Sequence, residues 1–176
     1  KYTDEAKEIN DLYQSLNVET IDLVSVLNDK KETNIFYKTD HHWTTFGAYI
    51  AYQTYLKDKA LTDLKLEKVS SDFLGSTYSK VTNYNQEKDE IYILKVEDLK
   101  VKYVDNNKEE NTLYNFDYLN KKDKYFLFLN NNHSLIEIVN EKIEDGHLLV
   151  IKDSFANSMI PFLTNHYHEI DVIDPR

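Results

Sequence analysis

Residues 38–47, KTDHHWTTFG, place an aspartate, two adjacent histidines and the only tryptophan of the chain in four consecutive positions. Neighbouring side chains of a strand or helix point different ways, so at most one of the two histidines shares a site with Asp40. In an extended loop Asp40 and His42, at i and i+2, project to the same side. An imidazole held by a carboxylate is what a serine hydroxyl needs to become a nucleophile, because the base takes its proton while the carboxylate fixes the tautomer and stabilises the imidazolium. The matching serine lies far along the chain in HLLVIKDSFANS, where Ser154 follows an apolar run and precedes a turn. There, free backbone N–H groups and a helix dipole can face a developing negative charge. Taken singly, Ser154 reads as a helix-capping serine and Asp-His-His as a polar turn. Taken together they supply nucleophile, base and orienting carboxylate for acyl transfer.

The stretches FYKTDHHWTTFGAYIAYQ and LLVIKDSFANSMIPFLTNHYHEIDVIDPR resemble a family of bacterial proteins named for its DHHW motif. That family is similar to the alginate O-acetylation proteins of the SGNH hydrolase superfamily. The likeness runs more weakly through FLGSTYSK and FLFLNNNHS and constrains residues 82–122 least. It implies an α/β, SGNH hydrolase-like three-layer sandwich with a mainly parallel sheet and a permuted motif order, Asp40 and His42 preceding Ser154. Asp153 and Ser154 echo the Asp-Ser of the superfamily's Gly-Asp-Ser block, with Lys152 in place of the glycine. Asn132 matches the oxyanion asparagine, whose amide joins the Ser154 N–H, while Asn130 and Asn131 stand where relatives tend to have two glycines. Gly75 offers a further backbone N–H or is an ordinary turn glycine, and Asn157 lines the pocket or caps the helix. His41 orients the loop and Trp43 packs beneath it.

The activity so implied is O-acetyl transfer or acetyl-ester hydrolysis on a cell-surface or exported polysaccharide, through an acyl-serine. No metal or cofactor is called for. The acyl donor is expected from a partner such as a membrane-bound acyltransferase, and the location is extracytoplasmic. Two other readings compete. One is a glycan-binding or scaffolding module with an idle triad. The other is a DHH-type phosphoesterase holding Mn²⁺ on Asp40, His41 and His42, for which the sequence offers no convincing further ligands.

Several elements must position these residues. Thr3 can cap a helix carrying Ala6, Ile9, Tyr13 and Leu16 at helical spacing. TIDLVSVL (20–27) reads as a buried strand, and NIFYKT as a short strand delivering the motif. Thr44 or Thr45 then caps a helix running to about Lys59, with Phe46, Tyr49, Ile50, Tyr52 and Leu56 on its apolar face. From Ser70 to about Lys122, SDFLGSTYSK is turn-like and EIYILKVEDLKVKYV alternates as a β-hairpin. This stretch is expected to be an insertion or lid over the α/β body. YFLFL (125–129), HLLVI (147–151) and EIDVI (169–173) read as strands whose near-continuous apolar runs fit a parallel sheet. A helix follows around Pro161, with Ser158 as its cap. Ligands of such sheets bind beyond the carboxyl ends of the strands, which is where Ser154 falls.

At 176 residues the chain fits a single domain, 1–176. Lys1 at the start, rather than methionine, is read as the mark of a processed product or of a piece of a longer protein, with any export signal or anchor expected in the missing part. The net charge of −10, with Arg176 as the only arginine, argues against nucleic-acid binding, which relies on clustered Lys and Arg. With no cysteine there is no disulfide and no thiolate metal site. No apolar run approaches membrane-spanning length. His133, His147, His166 and His168 are expected at the surface or in local bonds, and the 14 tyrosines in general packing.

Overall fold

A computed structural model of the chain describes residues 5–30, 34–81 and 85–176. Two sheets organise it. The larger has strand order β4-β3-β5-β7-β6, with β3 at Leu99–Tyr103, β4 at Lys108–Glu110, β5 at Leu135–Asn140, β6 at His147–Ile151 and β7 at Glu169–Ile173. The smaller pairs β1 (Leu66–Phe73) with β2 (Asp89–Leu94). Of the ladders in the larger sheet only β6/β7 is parallel; β3/β4, β3/β5 and β5/β7 are antiparallel. The mainly parallel sheet expected from the sequence is therefore corrected to a mixed, mostly antiparallel one. The cause is visible in the side chains: Leu99, Val101 and Tyr103 of β3, and Ile136 and Ile138 of β5, face the core while Lys100, Lys102 and Glu137 alternate outward. That alternation suits antiparallel strands with one wet face, and Lys102 meets its register partner Glu137 across it at 2.9 Å. On this outer face Leu149 and Ile151 of the edge strand β6 are 57% and 68% exposed.

The inner face is covered by α3 (Thr45–Leu56) and α5 (Ile160–Leu163), which share a core with the sheet through Ala48, Ala51, Tyr52, Ile160 and Phe162. Thr44 caps α3 as expected, its hydroxyl accepting the Gly47 amide at 3.3 Å, and a 3-10 turn at Lys57–Lys59 ends the helical stretch. Gly47 is required by a close approach, since a Cβ there would lie 2.4 Å from the Ile35 carbonyl oxygen. Small size at this point seats the first turn of α3 directly on the DHHW loop.

Other expectations give way. TIDLVSVL forms α2 (Leu23–Asp29) with no buried residue, because Asp22 caps it, accepting from the Ser25 amide at 3.0 Å and the Ser25 hydroxyl at 2.6 Å; the local cap outweighs the β-branched run. A helix does form at α1 (Glu5–Ser15), but Ile9, Tyr13 and Leu16 are 40–46% exposed, and the expected Thr3 cap lies outside the described residues. NIFYKT yields only the isolated bridge Phe36–Trp43. The expected hairpin does not form, as β2 pairs with β1 whereas β3 joins the main sheet. SDFLGSTYSK completes β1 and starts α4 (Ser76–Val81). YFLFL becomes a 3-10 turn, Lys124–Leu127, capped by Asp123. Tyr125, Leu127 and Phe128 of this run are buried, together with Tyr37, Phe73, Ile91 and Ile93, in a second core beneath the DHHW loop. No helix among the described residues is long and apolar enough to cross a membrane.

Candidate active site

The DHHW loop is a closed loop between two cores. Thr44 N donates to Ile35 O at 2.8 Å and Tyr37 N to His42 O at 3.2 Å, so residues 38–41 form its tip. Tyr37 anchors one side in the second core and Trp43 the other in the main core. From below, buried Asp89 at the start of β2 accepts the amides of Lys38 (2.9 Å) and Thr39 (2.8 Å) and the Thr39 hydroxyl. A carboxylate taking three donors fixes the two residues that precede Asp40.

Asp40 and His42 then meet as the i, i+2 spacing requires. Asp40 Oδ1 accepts the His42 ring Nδ1–H at 2.6 Å and the His42 amide at 3.0 Å, while Oδ2 accepts the Ser76 amide at 2.8 Å. His42 Nε2 lies 2.9 Å from Ser154 Oγ. Burial alone would raise the Asp40 carboxyl, but the His42 ring and the Ser76 and His42 amides hold it far below the ordinary carboxylate range. Asp40 is thus a fixed anion, and with Nδ1–H facing it the lone pair of Nε2 is left for the serine hydroxyl.

Ser154 opens a 3-10 turn, Ser154–Ser158, immediately beyond β6. Asp153 caps that turn, its Oδ1 accepting the Phe155 amide at 3.0 Å, and so supports the serine without touching His42. Trp43 Nε1 donates to Phe155 O at 2.8 Å and Ser158 Oγ at 3.0 Å. The indole therefore ties the loop bearing the base to the turn bearing the serine. Ser158 is its partner here rather than the expected cap of α5, whose N-cap is Met159.

His41 takes a different direction from His42. Its side chain is half exposed, with Nδ1 2.8 Å from Ser76 Oγ and its ring centroid 3.8 Å from that of His42. The four motif letters thus divide their work: an anion, an outer imidazole bonded to α4, an inner imidazole on the serine, and an indole clamp. Asp40, His41 and His42 each offer a donor atom within 4.8 Å of the others, as a metal site would. Those of Asp40 and His42 are already engaged with each other, with Ser76 and with Ser154, so a metal would have to break these bonds.

Asn132 lies on a loop in which Leu129, Asn130 and Asn131 all have positive φ, at 55°, 54° and 87°. The left-handed path expected of glycines is adopted without them, and costly conformers persist only where the surroundings enforce them. Here Leu129 N donates to Leu113 O at 2.8 Å, Asn131 N to Phe126 O at 3.0 Å, and Asn115 Nδ2 to Asn130 Oδ1 at 2.5 Å. His133, expected at the surface or in local bonds, is buried and locally bonded, with Nε2 2.9 Å from Asn130 O, and its Nδ1 lies 2.8 Å from Asp105 Oδ1. Asn157 Nδ2 donates to Asn132 Oδ1 at 3.0 Å. Asn157, fully buried, therefore orients Asn132 from within the turn that begins at Ser154, through a bond that uses the Asn132 amide oxygen and not its nitrogen.

Gly75 departs from its oxyanion assignment. Its N–H is taken by Thr39 Oγ1 at 3.1 Å, and a Cβ on it would lie 2.3 Å from Asp40 Cβ and 2.4 Å from Oδ2. Its function here is to let Asp40 approach α4. Lys152, standing for the block's glycine, buries its ammonium on Asp174 at 3.1 Å, away from the serine turn's own bonds. Of the remaining histidines, His147 pairs with Asp171, His166 meets the Tyr52 hydroxyl, and His168 bonds backbone carbonyls of Asn140 and Ile143.

Sequence reasoning missed Tyr125. Its ring stacks on His42 with centroids 3.8 Å apart and planes 5° from parallel, and its hydroxyl donates to Ser154 O at 3.0 Å. It also missed Asp89 and Ser76, which carry no spacing signal relative to the DHHW motif, and the role of Thr39, which directly precedes it.

Comparison with known proteins matches the chain to the DHHW protein family over residues 2–173. Among solved structures, a DHHW family protein from Eubacterium siraeum is similar with a TM-score of 0.72 at 24% identity, over 90% of this chain and 57% of that one. Bacillus cereus PatB1 with a sulfonyl adduct is similar with a TM-score of 0.62 at 19% identity, over 82% and 53%. The O-acetyltransferase domain of Pseudomonas putida AlgJ gives a TM-score of 0.48 at 14% identity, over 97% and 52%. The chain thus spans little more than half the length of these proteins. Among curated proteins none matches.

Proposed function

The chain belongs to the DHHW protein family, and from that premise we propose that it performs serine-dependent acyl transfer, with Ser154 as nucleophile, His42 as general base and Asp40 as the carboxylate that holds His42. One observation carries the reading: the unbroken bond chain from Asp40 Oδ1 to His42 Nδ1 at 2.6 Å and from His42 Nε2 to Ser154 Oγ at 2.9 Å. Both distances fall within the range a general base needs.

In this mechanism Ser154 Oγ attacks the acyl carbonyl of a donor ester as His42 Nε2 takes its proton. The imidazolium is stabilised by Asp40, whose lowered pKa keeps it ionised. The Ser154 N–H and the amide of Asn132 serve the oxyanion. Collapse of the tetrahedral intermediate expels the donor alcohol, protonated by His42, and leaves an acyl-serine. A hydroxyl of a polysaccharide, or water, then attacks this ester, His42 takes the attacking proton, and it returns it to Ser154 Oγ. In this reading a membrane-bound acyltransferase presents the donor, and the acceptor lies outside the cytoplasm; both rest on the resemblance of the DHHW and KDSFANS stretches to cell-surface O-acetylation proteins.

The test is turnover of p-nitrophenyl acetate. Ser154→Ala and His42→Ala should each abolish it, and Asp40→Asn should leave a small residue. Equal loss in His41→Ala with His42→Ala unaffected contradicts the assignment of the base. A metal-centred reading is favoured only by the Asp40–His41–His42 cluster, and metal content with chelator-sensitive phosphoester cleavage would establish it in place of acyl transfer.

A further inference from the structure

Two adjoining hollows of about 410 and 320 Å³ share Leu74, Ser79 and Lys122 and form one open groove along α4. Its inner wall is the back of the site just described. Gly75 and Ser76 line it, and Ser76 bonds both Asp40 Oδ2, through its amide, and His41 Nδ1, through its hydroxyl. Asp123 on the opposite wall is close enough for Asp40 to help burial in raising its carboxyl above the ordinary value. Ser76 thus joins the groove wall to the half-exposed His41, whose ring lies 3.8 Å from that of His42.

Its charge is opposite to that of the chain. The protein carries a formal −10, and many lysines among the described residues lie on a carboxylate, as in Lys38–Glu87, Lys68–Glu90, Lys100–Glu141, Lys102–Glu137 and Lys142–Asp98. Lys80, Lys121 and Lys122 all line the groove. Lys80 and Lys122 have no carboxylate partner among the described residues, and the Lys121 ammonium lies 4.0 Å over the Tyr118 ring. Lys124 is different: it is mostly buried, held by Asp72 at 2.7 Å and by the Leu119 carbonyl, and forms part of the wall. Exposed ammonium groups left unneutralised in an acidic protein form a local positive field that concentrates anions. Tyr78 and Ser79 add an aromatic ring and a hydroxyl to the lining, the mixture that a polar, ring-shaped ligand uses.

We propose that this groove binds an anionic glycan, a polymer with carboxylate or phosphate groups along its chain, and leads its hydroxyl to the acyl-serine. The second half of this statement rests on the acyl-transfer reading; the binding half does not. In the transfer, the acyl–Oγ bond of Ser154 breaks as the acyl–oxygen bond to the glycan forms, and the glycan proton passes through His42 to Ser154 Oγ.

The experiment is calorimetric titration of the Ser154→Ala form of the intact protein with three probes. These are an oligo-uronate, a neutral oligosaccharide of equal length and linkage, and a poly(glycerol phosphate). At about 50 mM salt, where the screening length is still on the order of 14 Å, at least one anionic probe should bind roughly tenfold more tightly than the neutral one, and the margin should shrink as salt rises. Which anionic probe binds separates carboxylate from phosphate recognition. Lys121→Glu with Lys122→Glu should lose about tenfold in that affinity, several exposed charge contacts each giving a few-fold. Lys59→Glu with Lys65→Glu, away from the groove, should match the parent. Equal affinity for neutral and anionic probes, no binding of any probe, or an unchanged affinity in the Lys121/Lys122 variant overturns the groove proposal. Serine-dependent ester turnover alongside any of these outcomes leaves acyl transfer standing. Anionic binding in a protein whose Ser154 proves inert removes acyl transfer and keeps the groove.

Discussion

Gly75→Ala puts the closest contact of the site under load. The added methyl would start 2.3 Å from Asp40 Cβ, 2.4 Å from Oδ2 and 2.7 Å from Cγ. Non-bonded carbon atoms settle at about 3.5–4.0 Å, so Asp40 and α4 must separate by roughly 1 Å. Neither partner yields freely. Asp40 is bonded by the His42 ring, the His42 amide and the Ser76 amide, and the Gly75 amide is held by Thr39, itself fixed on Asp89. The separation therefore lengthens the Ser76–Asp40 bond or turns the carboxylate away from His42. A displacement of about 1 Å in a positioned group costs on the order of 10²-fold in rate, and overpacking a tight contact costs about 1–3 kcal/mol of stability. Steady-state turnover of p-nitrophenyl acetate should thus fall about 10²-fold with Gly75→Ala, with a lower midpoint in thermal melts and a native circular-dichroism spectrum. If the loss acts through Asp40, Gly75→Ala in an Asp40→Asn background should add little to the effect of Asp40→Asn alone. Turnover and melting midpoint both at parental values in Gly75→Ala would refute this reasoning.

Trp43→Phe keeps the packing but deletes the donor to Phe155 O and Ser158 Oγ; it should cost about 1–3 kcal/mol in chemical denaturation and lower turnover more than substrate affinity. Tyr125→Phe, which retains the ring on His42 but loses the bond to Ser154 O, should impair turnover less than Tyr125→Leu, which loses both, in the same ester assay. The pKa of Asp40 is held below its ordinary value, so its contribution to stability is fully present above the unfolded carboxyl value and is lost as the pH falls through the folded one. The stability gap between the parent and Asp40→Asn, read from urea melts, should therefore be widest at neutral pH and narrow below about pH 4.

How far the sequence reaches differs between the site and the frame. Asp40, His42 and Ser154 are legible because their chemistry demands one another, and the i, i+2 spacing and the strand-to-turn position of Ser154 survive folding unchanged. Tyr125 and Asp89 are not, since stacking on His42 and gripping the amides of residues 38 and 39 arise only from tertiary closure. In the frame, α3 announces itself through Thr44 and its apolar spacing. TIDLVSVL misleads because its β-branched run hides the Asp22 cap. YFLFL misleads because a run buried on every side looks the same in a 3-10 turn as in a strand. EIYILKVEDLKVKYV alternates as two strands should, but a local pattern cannot tell that its halves pair with β1 and β5 rather than with each other. Gly75 shows the limit at a single residue: its presence is readable, but the carboxylate that requires it is not.

The most direct test of the central claim is covalent. PatB1, which shares the fold, has been determined with a sulfonyl adduct, and a sulfonyl fluoride reports on an activated serine because an ordinary hydroxyl reacts negligibly. The protein should be treated with phenylmethylsulfonyl fluoride, digested, and mapped by mass spectrometry. The account predicts one modified residue, Ser154, with labelling strongly slowed in His42→Ala and absent in Ser154→Ala. An unmodified Ser154 in folded protein, or labelling of Ser154 at the same rate without His42, would contradict it.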